Sequence, residues 1–367
     1  MKIGIIGTRG IPNRYGGFEQ LAEKLSLGLS QRGHAITVYN SHKHPYQAKK
    51  FVDVDIVHCF DAEYRMGTAG QFIYDLNCIR DAAKRKFDLL LFLGYTSSSV
   101  WGRLFPRNAV IISNMDGMEW KRSKYRKLTK RFLKYAERLA VKYSDQLIAD
   151  SVVIRSYLEK KYEKEIEFIS YGAEIFTDEN EAHLAAFDIT KHNYCMLMAR
   201  MEPENNIEMI LDGFCESSMD KKFVVVGNTG NSFGKRMVGK FAADKRILFV
   251  GPLYDSVVLH SLKTFSSLYF HGHSTGGTNP SLLEAMASRA LIAAHDNEFN
   301  RAVLQDDAFY FSNKREVRDL IALVEGGTTH DEKIANNLRK VREQYNWPKI
   351  IEQYEQLMTK CYNEANQ

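Results

Sequence analysis

Residues 271–288 read HGHSTGGTNPSLLEAMAS. An apolar run, Leu268-Tyr269-Phe270, leads into a loop of small polar residues that ends at Asn279-Pro280. Asn is a strong N-cap and Pro suits the first helical position, so a helix is predicted to open there. Backbone N–H groups at such a helix start, preceded by small residues, form an arrangement suited to phosphate. One turn further in, Glu284 faces the same end and is placed to accept hydrogen bonds from a ribose. An ordinary strand–loop–helix crossover would show the same local pattern. A second glycine loop, near the N terminus, favours the nucleotide reading.

That second loop is TRGIPNRYGGFE, residues 8–19, which follows the apolar run Ile3-Gly4-Ile5-Ile6-Gly7. Gly16 and Gly17 stand just before a helical pattern through Leu21, Leu25 and Leu29, where a glycine lets backbone approach a phosphate closely. The spacing of Gly7, Gly10, Gly16 and Gly17 is not GxGxxG, and no Gly-Lys-Ser/Thr follows, so neither a dinucleotide fingerprint nor a P-loop is present. A tight turn is the plainer alternative. Further short apolar runs occur at 35–39, 54–59, 88–93, 109–113 and 146–149, with helical stretches between most of them. After a polar, acidic stretch within 171–191 the alternation restarts, at 194–199, 222–226, 246–250, 267–270 and 291–294. Such alternation predicts an α/β fold with two doubly wound parallel sheets, each covered on both faces. Two such domains facing a cleft would bind ligands beyond the carboxyl ends of their strands.

The length of 367 residues agrees with two domains. A net charge of +5 is mildly basic and points only weakly to an anionic partner. Five cysteines without a CxxC pair read as reduced thiols, not a disulfide frame or zinc site. Met1 leads directly into the first strand, so no signal peptide is expected. No apolar run approaches the roughly 20 residues of a transmembrane helix. The expected location is cytoplasmic, at most peripheral to the inner face of a membrane.

Other strand ends carry chemistry-bearing residues. Arg200 ends the first strand of the second half, a position for a cation that meets a diphosphate, although a surface arginine is the bland alternative. Gly227 follows Val224-Val225-Val226, and Leu253 lies in a Gly-Pro-Leu-Tyr turn suited to holding a flat base. In the first half, NMDGMEW (114–120) follows a strand; Asp116 suits a sugar contact, a proton acceptor or a cap, and Glu119 a helix N-terminal charge. Residues 120–134, WKRSKYRKLTKRFLK, interleave eight Lys and Arg with Trp120, Tyr125, Leu128, Phe132 and Leu133. Read as one helix, this stretch predicts an apolar stripe flanked by basic residues, suited to anionic lipid or a pyrophosphate, or simply a solvated face over core. No recognised nucleic-acid module accompanies it. The histidines make no metal set; His271 and His273 read as structural or cleft-lining.

Four tracts in order, GTRGIPNRYGGFE, NMDGMEWKR, ARMEPENN and GGTNPSLLEAM, make the chain resemble retaining GT-B glycosyltransferases of family four, in their bacterial rhamnosyltransferase-like branch. The resemblance spans nearly the whole chain. It implies an acceptor-side domain over 1–172, a nucleotide-sugar donor domain over 173–346, and a C-terminal helix within 347–367 returning to the first domain. It also implies that Gly16 and Gly17 approach the donor diphosphate while Arg200 neutralises it. Gly227, Gly277, Thr278, Asn279 and Ser281 would join the donor site, Glu284 would bind the ribose, and Leu253 would hold the base. Asp116 would orient acceptor or donor, and Trp120, Lys121, Arg122 and Lys124 would lie on the acceptor or membrane side. Two departures stand out: Gly276 replaces the usual glutamate eight residues before Glu284, and Asn205 or Asn206 replaces the usual lysine after the arginine. The first removes a contact to donor-sugar hydroxyls.

The implied reaction moves a sugar, with dTDP-rhamnose favoured, to a saccharide, lipid-linked in that branch, during capsule or exopolysaccharide assembly. Retention and metal independence are expected, with no cofactor and no nucleic-acid partner. The rival readings are a GT-B nucleotide-sugar epimerase and a non-catalytic peripheral module that binds anionic membrane.

Overall fold

Apolar runs of four to seven residues form strands buried among helices, and the polar breaks between them become loops. The computed structural model describes every residue except Tyr15, Asp116, 122–124 and 327–329. Asp116, Arg122 and Lys124 therefore lie outside the described residues. The chain divides into two units, Met1–Tyr171 with Trp347–Gln367, and Gly172–Asn346.

Unit 1 is built on β1 (Lys2–Ile6), β2 (Ala35–Ser41), β3 (Lys50–Phe51), β4 (Val54–Cys59), β5 (Leu89–Leu93), β6 (Val110–Asn114), β7 (Gln146–Ala149) and β8 (Glu167–Phe168). Their spatial order is β3-β4-β2-β1-β5-β6-β7-β8. All pairings are parallel except the β3–β4 hairpin. The helices are α1 (Gly17–Gln31), α2 (Glu63–Met66), α3 (Gly70–Arg85), α4 (Lys127–Tyr143) and α5 (Val152–Tyr162). Every residue of β5, Leu-Leu-Leu-Phe-Leu, is buried, as expected for a parallel strand covered on both faces.

Unit 2 has β9 (Tyr194–Met198), β10 (Lys222–Val226), β11 (Ile247–Gly251), β12 (Leu268–His271), β13 (Ile292–His295) and β14 (Phe309–Phe311) in the order β11-β10-β9-β12-β13-β14, all parallel. Its helices are α6 (Ile207–Cys215), α7 (Ser232–Phe241), α8 (Ser256–Thr264), α9 (Pro280–Ala287), α10 (Glu298–Leu304), α11 (Lys314–Glu325) and α12 (Asp331–Glu343). Leu268 and Phe270 enter one core with residues of α6, α7 and α11. Alternation along β12 sends Tyr269 and His271 to the opposite face.

The last helix, α13 (Trp347–Ala365), completes unit 1. Its Tyr354 hydroxyl accepts from Asn114 Nδ2 at 2.9 Å, and Glu355 meets Arg32 and His34 at 2.5 and 2.9 Å. Gly28 of α1 allows this approach, since a Cβ there would lie 2.5 Å from Ile351 Cδ1.

The apolar runs read from sequence are all strands, and both sheets are doubly wound. One expectation fails. Residues 120–134 are not one helix: Glu119–Lys121 form a short 3₁₀ turn and α4 begins only at Lys127. Trp120 therefore shares no helical stripe with Leu128 and Phe132. Within α4 the apolar residues also part company, Leu133 being buried while Leu128 is 77% exposed.

Candidate active site

In an open parallel sheet, the strand order reverses at a switch point, and the loops leaving the two strands there diverge to open a crevice. In unit 2 the reversal falls between β9 and β12. The loop after β9 carries Arg200, and the loop after β12 is 272–279, the stretch that opened the sequence reading. Topology alone thus brings two distant tracts together.

Side-chain amides bind these loops to each other. Asn205 Nδ2 donates to the Arg200 carbonyl at 2.7 Å, and Asn206 Nδ2 donates to the Gly272 carbonyl at 2.8 Å. Ser274 donates from both its amide and its hydroxyl to the Glu204 carbonyl, at 3.1 and 2.8 Å. Asn206 has φ +51, a left-handed conformation that Asn tolerates better than most residues. Gly272 must be glycine, because a Cβ would sit 2.1 Å from the Asn205 carbonyl oxygen. Asn205 and Asn206, where the sequence resemblance leads one to expect a lysine, are thus structural ties. From further along the sheet, Asn231 Nδ2 holds the Met201 carbonyl at 2.7 Å, and Asn297 and Asn300 each hold the His273 carbonyl at 3.0 Å.

Arg200 itself is exposed, and its side chain makes no ion pair with any described residue. At the start of α9, Asn279 caps the helix: its Oδ1 accepts from the Ser281 amide at 3.0 Å and the Ser281 hydroxyl at 2.8 Å. Pro280 has no N–H, and the Leu282 and Leu283 amides both reach the Asn279 carbonyl, at 3.0 and 3.2 Å. The helix-start amides that the sequence leaves open are therefore engaged internally. The amides of Gly276 and Gly277 donate to no described residue. Gly276 has φ +136 with open space where a Cβ would point, so only glycine holds this turn without strain. These two glycines precede the N-terminus of α9, whose dipole favours negative charge nearby. Thr278, the next residue in the chain, is buried.

Glu284 Oε2 accepts from Lys263 Nζ at 2.9 Å. Lys263 is fully buried on α8, whereas the Glu284 side chain is 28% exposed. An unpaired buried ammonium is costly, so Glu284 both compensates Lys263 and is held in one orientation by it. His271 is also buried, its ring stacked on His273 at 4.4 Å between centroids, with neither ring nitrogen bonded to a described residue. Burial first, then His273 and Lys263, push its pKa well below the usual histidine value, keeping it neutral. His260 on α8 is held down to about 4, mainly by burial and then by Lys263. It stacks on Phe176 at 4.1 Å and meets Ser288 Oγ at 2.6 Å.

Gly227 serves close packing: a Cβ there would lie 2.3 Å from the Ala199 carbonyl oxygen, and its amide donates to the Gly251 carbonyl at 3.0 Å. Leu253 is half-buried two residues after β11, beside Tyr254, which is 84% exposed.

Unit 1 reverses its strand order between β1 and β5. Gly7 and Gly94 follow those strands directly, and a Cβ on Gly7 would collide with the Leu93 carbonyl at 2.2 Å. Gly16 is extended and serves as the N-cap of α1 without a side-chain hydrogen bond, and Gly17 is the first helical residue. The nearest atom to a Cβ on Gly16 is Glu19 Oε2 at 3.5 Å, leaving room for backbone approach. Glu19 is buried and its Oε1 accepts from the Arg9 amide at 2.9 Å, fixing the loop. Trp120 is anchored to the fold: its Nε1 donates to Glu137 Oε2 at 3.2 Å and Lys134 Nζ lies 4.3 Å from its ring. Glu137, itself 1% exposed, also accepts from Lys161 at 2.5 Å and Tyr162 at 2.7 Å. Lys121 is exposed.

Sequence reasoning missed Lys263, the Asn205–Asn206 ties and the Glu137 hub. Apart from Asn205 and Arg200, five residues apart, the partners lie 17 to 66 residues apart in the chain, so no local pattern marks them.

Residues 1–174 match the family described as Domain of unknown function (DUF1972), less than half of the chain. No curated protein matches the sequence significantly. Among solved structures, the chain is similar to sucrose-phosphate synthase from Thermosynechococcus elongatus, with 14% identity, TM-score 0.81 and 99% of each chain covered. It is similar to Anabaena HepE in complex with UDP, with 13% identity, TM-score 0.73 and coverage of 98% of this chain and 100% of that one. It is also similar to the catalytic domain of starch synthase IV from Arabidopsis thaliana bound to ADP and acarbose, with 11% identity, TM-score 0.72 and 99% of each chain covered. The fold is that of the GT-B glycosyltransferases.

Proposed function

We propose that this chain is a glycosyltransferase that moves a sugar from a nucleoside diphosphate donor to a saccharide acceptor. The observation that carries the reading is the unit 2 switch point, where unengaged Gly276 and Gly277 amides sit in a loop tied to the Arg200 loop. When the bond between sugar C1 and the phosphate oxygen breaks, charge gathers on the diphosphate. Fixed amide dipoles and a guanidinium stabilise that charge without reorganising. Glu284, oriented by Lys263, takes the ribose in this reading. The UDP bound to HepE and the ADP bound to starch synthase IV, proteins of the same fold, support a nucleotide ligand for this chain.

The finer reading is dTDP-rhamnose as donor, a lipid-linked saccharide as acceptor, retention of configuration and no metal requirement. The four sequence tracts support the donor and acceptor classes. Gly276 supports a sugar with fewer polar contacts, because no side chain occupies the place of the family's glutamate. For retention, the acceptor oxygen bonds to C1 on the face the phosphate leaves, and its proton passes to the leaving phosphate oxygen. Asp116 orients the acceptor or the donor in this scheme. The exposed Leu128 and Tyr135 of α4, among Lys127, Lys130, Arg131 and Lys134, support a peripheral position on an anionic membrane.

The test is incubation with dTDP-rhamnose, or UDP-glucose, with and without a lipid-diphosphate-linked saccharide, in excess EDTA. A retained glycosidic product formed only with acceptor is expected. An altered sugar from donor alone would establish an epimerase instead, and absence of nucleotide binding with intact vesicle binding would leave the non-catalytic module.

A further inference from the structure

The carboxyl edge of the unit 1 sheet carries three aromatic rings that none of the roles above uses, His42 half-buried and Phe60 and Tyr64 exposed. His42 follows β2 and Phe60 follows β4, strands joined there by the His42 amide donating to the Cys59 carbonyl at 2.9 Å. The His42 ring stacks on Phe60 at 5.0 Å with an interplanar angle of 28°, and meets Tyr64 edge-on at 5.9 Å. Phe60 is 49% exposed and Tyr64 51%. Two cations accompany the rings: Lys43 Nζ lies 5.0 Å and the Arg65 guanidinium 5.2 Å from the Tyr64 centroid.

The His42 ring is also tied to the backbone. His42 Nδ1 accepts from the Asp61 amide at 2.9 Å, fixing ring and loop together. Asp61 Oδ1 caps Glu63 at 2.7 Å and its Oδ2 accepts from Ser41 Oγ at 2.8 Å, so the turn into α2 is rigid. Glu63 pairs with Arg9 at 2.5 Å, which joins this turn to the glycine loop before α1. Exposed rings on a stiff frame, at the strand ends where open sheets bind ligands, lose little entropy on binding.

We propose that His42, Phe60 and Tyr64 form a saccharide platform for the acceptor, and that Lys43 and Arg65 select a sugar carrying or adjoining an anionic group. A pyranose offers an apolar C–H face to an aromatic ring, while its hydroxyls stay in water or meet polar neighbours. The paired cations supply the charge complement. Either a uronic acid carboxylate or a sugar phosphate provides that anion. The proposal rests on the glycosyltransferase reading, with unit 1 taken as the acceptor side.

The test is titration of the full-length chain, without donor, by methyl β-glucuronide, glucose 1-phosphate and uncharged methyl β-glucoside, followed by saturation-transfer NMR. Both charged sugars are expected to bind more tightly than the glucoside, and the tighter of the two identifies the source of the anion. Phe60→Ala and Tyr64→Ala each lower affinity for all three about tenfold. The Lys43→Ala/Arg65→Ala double variant loses the preference for charge but keeps the glucoside. Melting temperatures within about 1 °C of wild type confirm folding at these exposed positions. Unchanged sugar affinity in the aromatic variants, or binding of none of the three sugars, overturns the platform. So does loss of binding to phosphatidylglycerol vesicles with sugar affinity intact, which would assign the patch to lipid. A parallel titration with dTDP and UDP separates the two readings: nucleotide binding with a failed platform leaves the transferase standing, and the absence of both removes it.

Discussion

Arg200 is exposed at the unit 2 switch point, a guanidinium without an ion-pair partner among the described residues, on a loop held by Asn205. Arg200→Ala is expected to lower kcat/KM at least a hundredfold, about 3 kcal/mol of transition-state stabilisation, while the melting temperature stays within about 1 °C. Near-normal turnover would remove the arginine from the mechanism. His260 makes a different kind of residue-level prediction. Its folded pKa of about 4 lies below the ordinary 6.5, so between those values the unfolded chain binds the extra proton. Stability from this group is present above pH 6.5 and is lost as the pH falls toward 4. Between pH 7 and pH 5 the wild type should lose roughly 2 kcal/mol more than His260→Gln, measured by urea unfolding at each pH. Parallel pH profiles for the two proteins would contradict the burial argument.

At the scale of the element, the β12–α9 connection is where local sequence and tertiary ties meet. The Asn-Pro start of α9 was legible because capping is written in adjacent residues, and the strands were legible because buried parallel strands are short apolar runs. The start of α4 was not, since its N-cap residue Arg126 makes no side-chain cap and nothing in WKRSKYRK marks the break. Nor were the ties of Asn206 to Gly272 and Lys263 to Glu284, because contacts between residues 66 and 21 positions apart leave no periodic trace. The site residues were therefore readable as types at strand ends, but not as a network. Gly272→Ala tests the network: its Cβ would meet a backbone oxygen, so unit 2 should lose about 2 kcal/mol or more and nucleotide affinity should fall with it. Gly239→Ala is the control, in α7 with nothing within 4 Å, and should gain about 0.5–1 kcal/mol. Equal melting temperatures for the two variants would contradict the packing described for Gly272.

For the whole molecule, the chain crosses from unit 2 back to unit 1 to place α13, whose Trp347, Ile350, Tyr354, Leu357 and Met358 are buried. Ending the chain at Asn346 should unfold unit 1 selectively, since each such side chain contributes about 1.5–3 kcal/mol and Asn114 loses its partner. Limited proteolysis would show fragments of 172–346 surviving while the N-terminal unit is digested; equal protection of both would contradict this. The central claim, a nucleoside diphosphate held at the β9–β12 switch point, is tested most directly by hydrogen–deuterium exchange with and without saturating dTDP or UDP. Slowed exchange centred on 272–284 and 199–206 is the predicted result. Saturable binding that leaves both segments unprotected, or no binding of any nucleoside diphosphate, would contradict it.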